Sequence, residues 1–337
     1  VTAERTAQAV RGDVAAMVYQ TLRTEILEPV AFGSTTRYES RKDVTLLSEN
    51  LGIYRGEGVV EETDQTALLA GEASLKQGEV RIGGQIYLYG YTDIAARLGQ
   101  SVEFYYTESP MDRERFVVLC YTLRDRFAKE ELTLQANRIQ SVKAEYGAIR
   151  MTYEAENGRY KEAEISSAAN VIWNGKRLDT YTEADLKPAS GAVTLVRDSG
   201  SGGYDTVRVT SYETVVADGV FAASGVVKNK IGDDFRYDPN DADVVCAILK
   251  DGVEIELGDI QEWNVLSVQQ SRDGKLIQVL VSDHPVFGML NRLDQSAEPA
   301  TAVVDERSME LVPGLELDMK LGTENTFYLD AFGRIAA

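Results

Sequence analysis

The sequence predicts a mainly β protein, an array of small antiparallel β-barrel or sandwich modules preceded by one amphipathic N-terminal helix. Three observations carry that reading. Apolar residues recur near the helical period only as far as Pro29, and beyond it they alternate over short runs. Turn pairs such as Gly83-Gly84, Asn157-Gly158, Asn174-Gly175, Asp251-Gly252 and Asp273-Gly274 fall between β-forming stretches. Finally, one small grammar recurs. Arg55 to Tyr106 runs Val59-Val60, an acidic turn, the strand Val80 to Tyr87, Leu98-Gly99 and an aromatic strand; Thr301 to Ala337 shortens the same order, ending on Leu321-Gly322 and Phe327-Tyr328. A middle copy opens at Gly225-Val226-Val227. Repetition of this kind points to stacked modules.

Taken in order, residues 1–29 read as the helix, 30–43 as a linker or arm, 44–166 as a first β module and 167–218 as a connecting module. Residues 219–284 form a second β module and 285–337 a C-terminal one. The helix is predicted from Thr2 to Leu27, with Val14, Met17, Val18, Leu22 and Ile26 on its apolar face, a break near Gly12 and a stop at Pro29. That face must pack on the first module or on a partner. Thr45 to Gly52 reads as a short helix before the strand from Ile53, and Thr92 as the cap of another over Ile94 to Leu98, ended by Gly99. A hairpin pairs Ile149–Glu154 with Tyr160–Ile165, and Thr182 with Asp185 marks a further helix start. Two strands flank the Gly/Ser loop after Arg197, and four short strands between Val244 and Val281 describe a compact barrel. The last segment, Asn325 to Ala337, ends on a strand whose edge is expected to be open.

The chemistry of the 337 residues is as informative for what it excludes. A net charge of -19 and a pI near 4.6 disfavour nucleic acid and anionic membrane surfaces as partners. No apolar run approaches the roughly 20 residues that span a bilayer, and the first residues carry no signal-peptide pattern. Cys120 and Cys246 each lie within an apolar run and are expected to be buried free thiols. His284, the one histidine, precedes Pro285 at a module boundary and has no nucleophile motif near it, so neither a catalytic triad nor a zinc site is expected. There is no P-loop or dinucleotide fingerprint. The densest carboxylate group, Asp233, Asp234, Asp238, Asp241 and Asp243, reads as a solvated loop and as the candidate for a weak Ca²⁺ site; otherwise no cofactor is expected. Asp198 and Asp205 sit too close to Arg197 to make a good cation cage.

A resemblance adds to this. The segment Val10 to Leu22, VRGDVAAMVYQTL, is similar to the last helix of an S-layer homology domain: Arg11 and Gly12 match the family pattern, Val10 replaces its Thr and Asp13 its Glu. The remainder resembles the β-rich region that follows such motifs in large surface proteins of Gram-positive anaerobes, through LLSENLGIYRGEGVV, ISSAANVIWNGKRLDTYTEADLKP and GTENTFYLDAFGRIAA. The resemblance implies an extracellular, cell-surface, non-enzymatic structural role. It leads to two expectations: self-assembly into a lattice or a head-to-tail filament, or anchoring to cell-wall polysaccharide through Arg11 or exposed tyrosines. On the extracellular reading, an export signal has been removed or lies outside this sequence.

Overall fold

The structure, a computed structural model, describes residues 11–31, 37–68, 75–123, 131–197 and 203–337. The start of the expected helix, part of the arm, and Asp198 therefore lie outside the described residues. The chain is mainly β, as predicted. It divides into two compact units, Val1–Asp64 with Ser74–Arg124, and Gln65–Ala73 with Asp125–Ala337.

In the first unit, helix α1 spans Arg11–Leu22 and stops short of the predicted end. Thr21 and Thr24 turn their hydroxyls back to donate to the Met17 and Gln20 carbonyls (2.8 and 2.9 Å), which satisfies the last turn and releases the chain into a strand. That strand, β1 (Glu25–Ala31), pairs antiparallel with β2 (Arg37–Thr45). Pro29 thus sits in a two-stranded ribbon, where a missing N–H is tolerated, and the expected linker is half of a hairpin. Helix α2 (Leu46–Leu51) follows, with a capping box between Thr45 and Ser48 and Gly52 in the left-handed conformation.

Strands β3 (Ile53–Thr63), β4 (Glu79–Ile82), β5 (Gln85–Leu88), β6 (Ser101–Glu108) and β7 (Phe116–Leu123) then close a barrel in the order β3-β4-β5-β7-β6. The Gly83-Gly84 hairpin joins β4 to β5 as predicted. Between β5 and β6 lies a 3-10 turn, Ile94–Arg97, which Thr92 does not cap: its hydroxyl donates to the Tyr89 carbonyl. The barrel interior holds Val60, Val80, Ile94, Val102, Phe104 and Val118, with Tyr87 packed edge-on against both Phe104 and Tyr106. Phe104 fits because residue 56 is glycine: a Cβ there would come within 2.5 Å of the ring.

The second unit has three hydrophobic cores. Strands β8 (Glu131–Gln135), β9 (Ile139–Glu145), β10 (Ala148–Glu154), β11 (Tyr160–Trp173), β12 (Lys176–Arg177), β13 (Gly191–Val196) and β14 (Tyr204–Ser211) make one sheet, ordered β8-β13-β14-β11-β10-β9 with β12 on β11. The predicted module 44–166 is therefore cut near residue 124, because β8 to β11 find their partners in β13 and β14. Alternation drives this: Ile149, Met151 and Tyr153 on β10 meet Ala163 and Ile165 on β11 over a common core.

A second sheet is built from β15 (Glu213–Phe221), β16 (Val226–Asn229), β17 (Phe235–Arg236), β18 (Val245–Lys250), β19 (Val253–Glu254), β20 (Val265–Gln270) and β21 (Leu276–Ser282). The last comprises β22 (Pro285–Asp294), β23 (Thr301–Val304), β24 (Arg307–Glu310) and β25 (Glu324–Tyr328).

A repeat is present, in a different phase from the one read in the sequence. Strand β11, the Asn174-Gly175 turn, β12, a 3-10 turn at Glu183–Leu186 and the hairpin β13–β14 bring β14 back parallel to β11. Strand β18, the Asp251-Gly252 turn, β19, a 3-10 turn at Leu257–Asp259 and β20–β21 bring β21 back parallel to β18. The barrel carries an abbreviated version, in which β7 bridges β5 in parallel at Leu88 and Val117. What recurs is a left-handed turn, a one-turn helix and a hairpin; the dipeptides Val-Val and Leu-Gly are incidental to it.

Candidate functional site

The apolar face expected on the N-terminal helix lies exposed on α1, next to the β1–β2 hairpin. No residue of α1 is buried. Its outer side presents Val14, Met17 and Val18, spaced three and four apart on one face and about half exposed (49%, 54% and 53%). The helix is held by its polar side. Arg23 reaches Glu103 of the barrel at 3.0 Å and donates to the Tyr19 hydroxyl at 2.7 Å, while Tyr19 and Tyr105 share a hydrogen bond of 3.4 Å. Glu103 also binds Arg55 at 2.6 Å, so one carboxylate is gripped by two guanidinium groups. Burial, and then the bond to Tyr19, push the Tyr105 phenol up to about 12. The clamp fixes which side of α1 faces out, and the side it leaves out is the apolar one.

The hairpin repeats that arrangement. Its register sets Leu27 opposite Ser40 and Pro29 opposite Tyr38, which puts Leu27, Pro29 and Tyr38 on one face, all exposed. Two strands alone are marginal in water, and both outer edges of this ribbon are unpaired among the described strands.

The other expected site residues fall apart in space or in role. Arg11 is the exposed first residue of α1. The five aspartates of the acidic loop do not form a cation cage: four of the carboxylates take local partners. Asp234 binds Lys228 and Arg236 (2.6 Å each), and the hydrogen bond from Lys228 holds its carboxyl below the usual range. Asp243 binds Lys275 at 2.8 Å, with the same effect. Asp238 and Asp241 accept from the amides of Asn240 and Asp243, and the Asp233 carbonyl accepts from Asn229. Among the described residues no group of His, Cys, Asp or Glu is placed to hold a metal ion.

Two further expectations are corrected. Cys120 is exposed, because a bulge opposite Tyr105 and Tyr106 inserts Leu119 into β7 and turns both residues outward. Cys246 is half-buried, and burial pushes its thiol up to about 11. The C-terminal strand β25 stays at the edge of its sheet, as expected, but its last residue is covered by the end of the chain. The Tyr328 amide donates to the Ala337 carbonyl and the Ala336 amide to Tyr328 (2.9 and 2.8 Å), while Ile335 bridges both Leu329 and Leu311. His284 lies exposed beside Asp283 (3.1 Å) at the junction before β22, in keeping with a boundary residue.

Sequence reasoning missed the clamp. Its only trace is Tyr19 and Arg23 one helical turn apart, and the partners Glu103 and Tyr105 lie some eighty residues on. No family model matches the chain, and neither does any curated protein.

Proposed function

We propose that the chain is a non-enzymatic structural protein of the bacterial cell surface that self-associates through its N-terminal element. The observation that carries this is the clamped helix with its apolar face outward, continuous in sequence with a hairpin whose apolar face is also exposed. Water-exposed apolar surface of this kind marks an interaction site. The acidic surface, with a net charge of -19, keeps copies apart elsewhere and leaves the apolar element as the point of contact.

The test is particle size against concentration by light scattering, for the full chain and for a variant lacking Val1 to Thr45. Association that is concentration-dependent in the full chain and absent from the variant is the expected result. Equal association in both rules the element out as the joint.

A further inference from the structure

The chain holds two Asn-Gly pairs, Asn157-Gly158 and Asn174-Gly175, and the fold treats them in opposite ways. Both glycines are left-handed, at φ 71° between β10 and β11 and φ 86° between β11 and β12. In such a pair the glycine nitrogen lies close to the asparagine Cγ, and no side chain on the glycine shields it. Asn157 and its neighbours in the turn are exposed. Its side chain makes one hydrogen bond among the described residues, accepted by Oδ1 from the Arg159 N–H at 3.2 Å, which draws electron density away from Cγ. The Gly158 N–H is held by a single bond to the Ala155 carbonyl, at 2.9 Å. A Cβ on Gly158 would meet only Glu154 Oε1, at 3.8 Å, so the turn has room for a ring.

Asn174 is the reverse case, at 3% exposure. Its Nδ2 donates to the Ser211 and Gln270 carbonyls at 3.0 and 2.8 Å, and its Oδ1 accepts from the Ser211 amide at 2.8 Å. Gly175 is packed so closely on Leu276 that a Cβ would come within 2.5 Å of it. Swinging Cγ onto the Gly175 nitrogen would break three bonds and leave their partners unpaired in a buried place.

We infer that Asn157 is a site of spontaneous deamidation and that the fold protects Asn174 from the same reaction. The Gly158 nitrogen, having given its proton to hydroxide, bonds to Asn157 Cγ; the Cγ–Nδ2 bond breaks, ammonia leaves, and a succinimide ring remains. Water then opens the ring. Opening at Cγ gives aspartate, and opening at the main-chain carbonyl gives isoaspartate, which threads an extra carbon into the main chain. The net change consumes one water and releases one ammonia, with no oxidation. The new carboxylate joins Glu154 and Glu156 in the same turn, and the extra carbon disturbs the Glu154–Tyr160 pair that closes the hairpin.

This inference does not depend on self-association. The test is incubation of the full chain at mildly alkaline pH, with peptide mapping by mass spectrometry over time and methyl transfer by a protein-isoaspartate methyltransferase to detect isoaspartate. In the folded chain Asn157 should react about tenfold or more faster than Asn174, and faster still as pH rises. In urea the two rates should converge, because each pair is followed by a cation, Arg159 or Lys176, and differs mainly in its folded surroundings. Equal rates in the folded chain, faster reaction at Asn174, an Asn157 that stays intact while the urea-unfolded chain reacts, or a ratio as large in urea as in the folded chain would each overturn the inference.

Discussion

The two ends of the described chain pose the same problem and solve it differently. Each brings an apolar segment to a terminus. At the C-terminus Ile335 and Ala336 are buried, at 0% and 2% exposure, and Arg334 is tied to a buried Asp330 at 2.6 Å. At the N-terminal side no residue of α1 is buried, and polar contacts of Tyr19 and Arg23 link it to the barrel. Apolar composition therefore says that a segment must be covered, and says nothing about what covers it. The sealed end belongs to a core, whereas the open end offers a surface.

The sharpest way to break this contrast is to unseal the C-terminus. Deleting Arg334 to Ala337 strips Ile335 from the core and leaves Asp330 buried without its cation. Cavity and stranded-charge costs together should exceed about 4 kcal/mol, seen as a large fall in the urea midpoint. A midpoint near the parent's would show that the end is not sealed.

Within the cored region, Asn174→Ala should cost about 2–3 kcal/mol. The Asn174 amide donates to the Ser211 and Gln270 carbonyls and accepts from the Ser211 amide, tying one repeat to the next, from a left-handed backbone (φ 46°) that Ala adopts poorly. Thermal unfolding of the variant measures it.

The two thiols give a smaller effect with a defined sign. Cys120 should react at once with a disulfide reagent, and Cys246 more slowly, because it is half-buried and its raised pKa leaves less thiolate. Burial raises the Cys246 pKa from 9.0 to about 11, so above pH 9 the unfolded state gives up a proton that the folded state keeps. Stability should therefore fall as pH rises from about 9 toward about 11, and fall less steeply in Cys246→Ala. Identical slopes would remove Cys246 from the account.

Smallest of all, Met17→Asp should change folding stability by no more than about 0.5 kcal/mol, as expected of an exposed site, while weakening self-association. A large loss of stability would mean that the α1 face is covered within the chain.

Local chemistry made much of the fold legible. The Asn157-Gly158 hairpin, the Thr182–Asp185 capping box and the α2 turn pair form as read, because each is decided within a few residues. The candidate sites were less legible. The five clustered aspartates suggested a cage, but strand pairing brings Lys228 and Lys275 to two of them.

By itself the sequence determined the β class, the turns, the short helices and the acidic surface, all properties of composition and of period along a few residues. Tertiary structure alone decided the rest. It set which strands pair across long separations, as β11 does with β14 and β18 with β21, the bulge that exposes Cys120, the folding of Ile335 to Ala337 onto Tyr328, and the outward set of α1. The physical reason is that apolar burial is non-directional: a pattern specifies that a face is to be covered, and only the three-dimensional arrangement selects the partner that covers it.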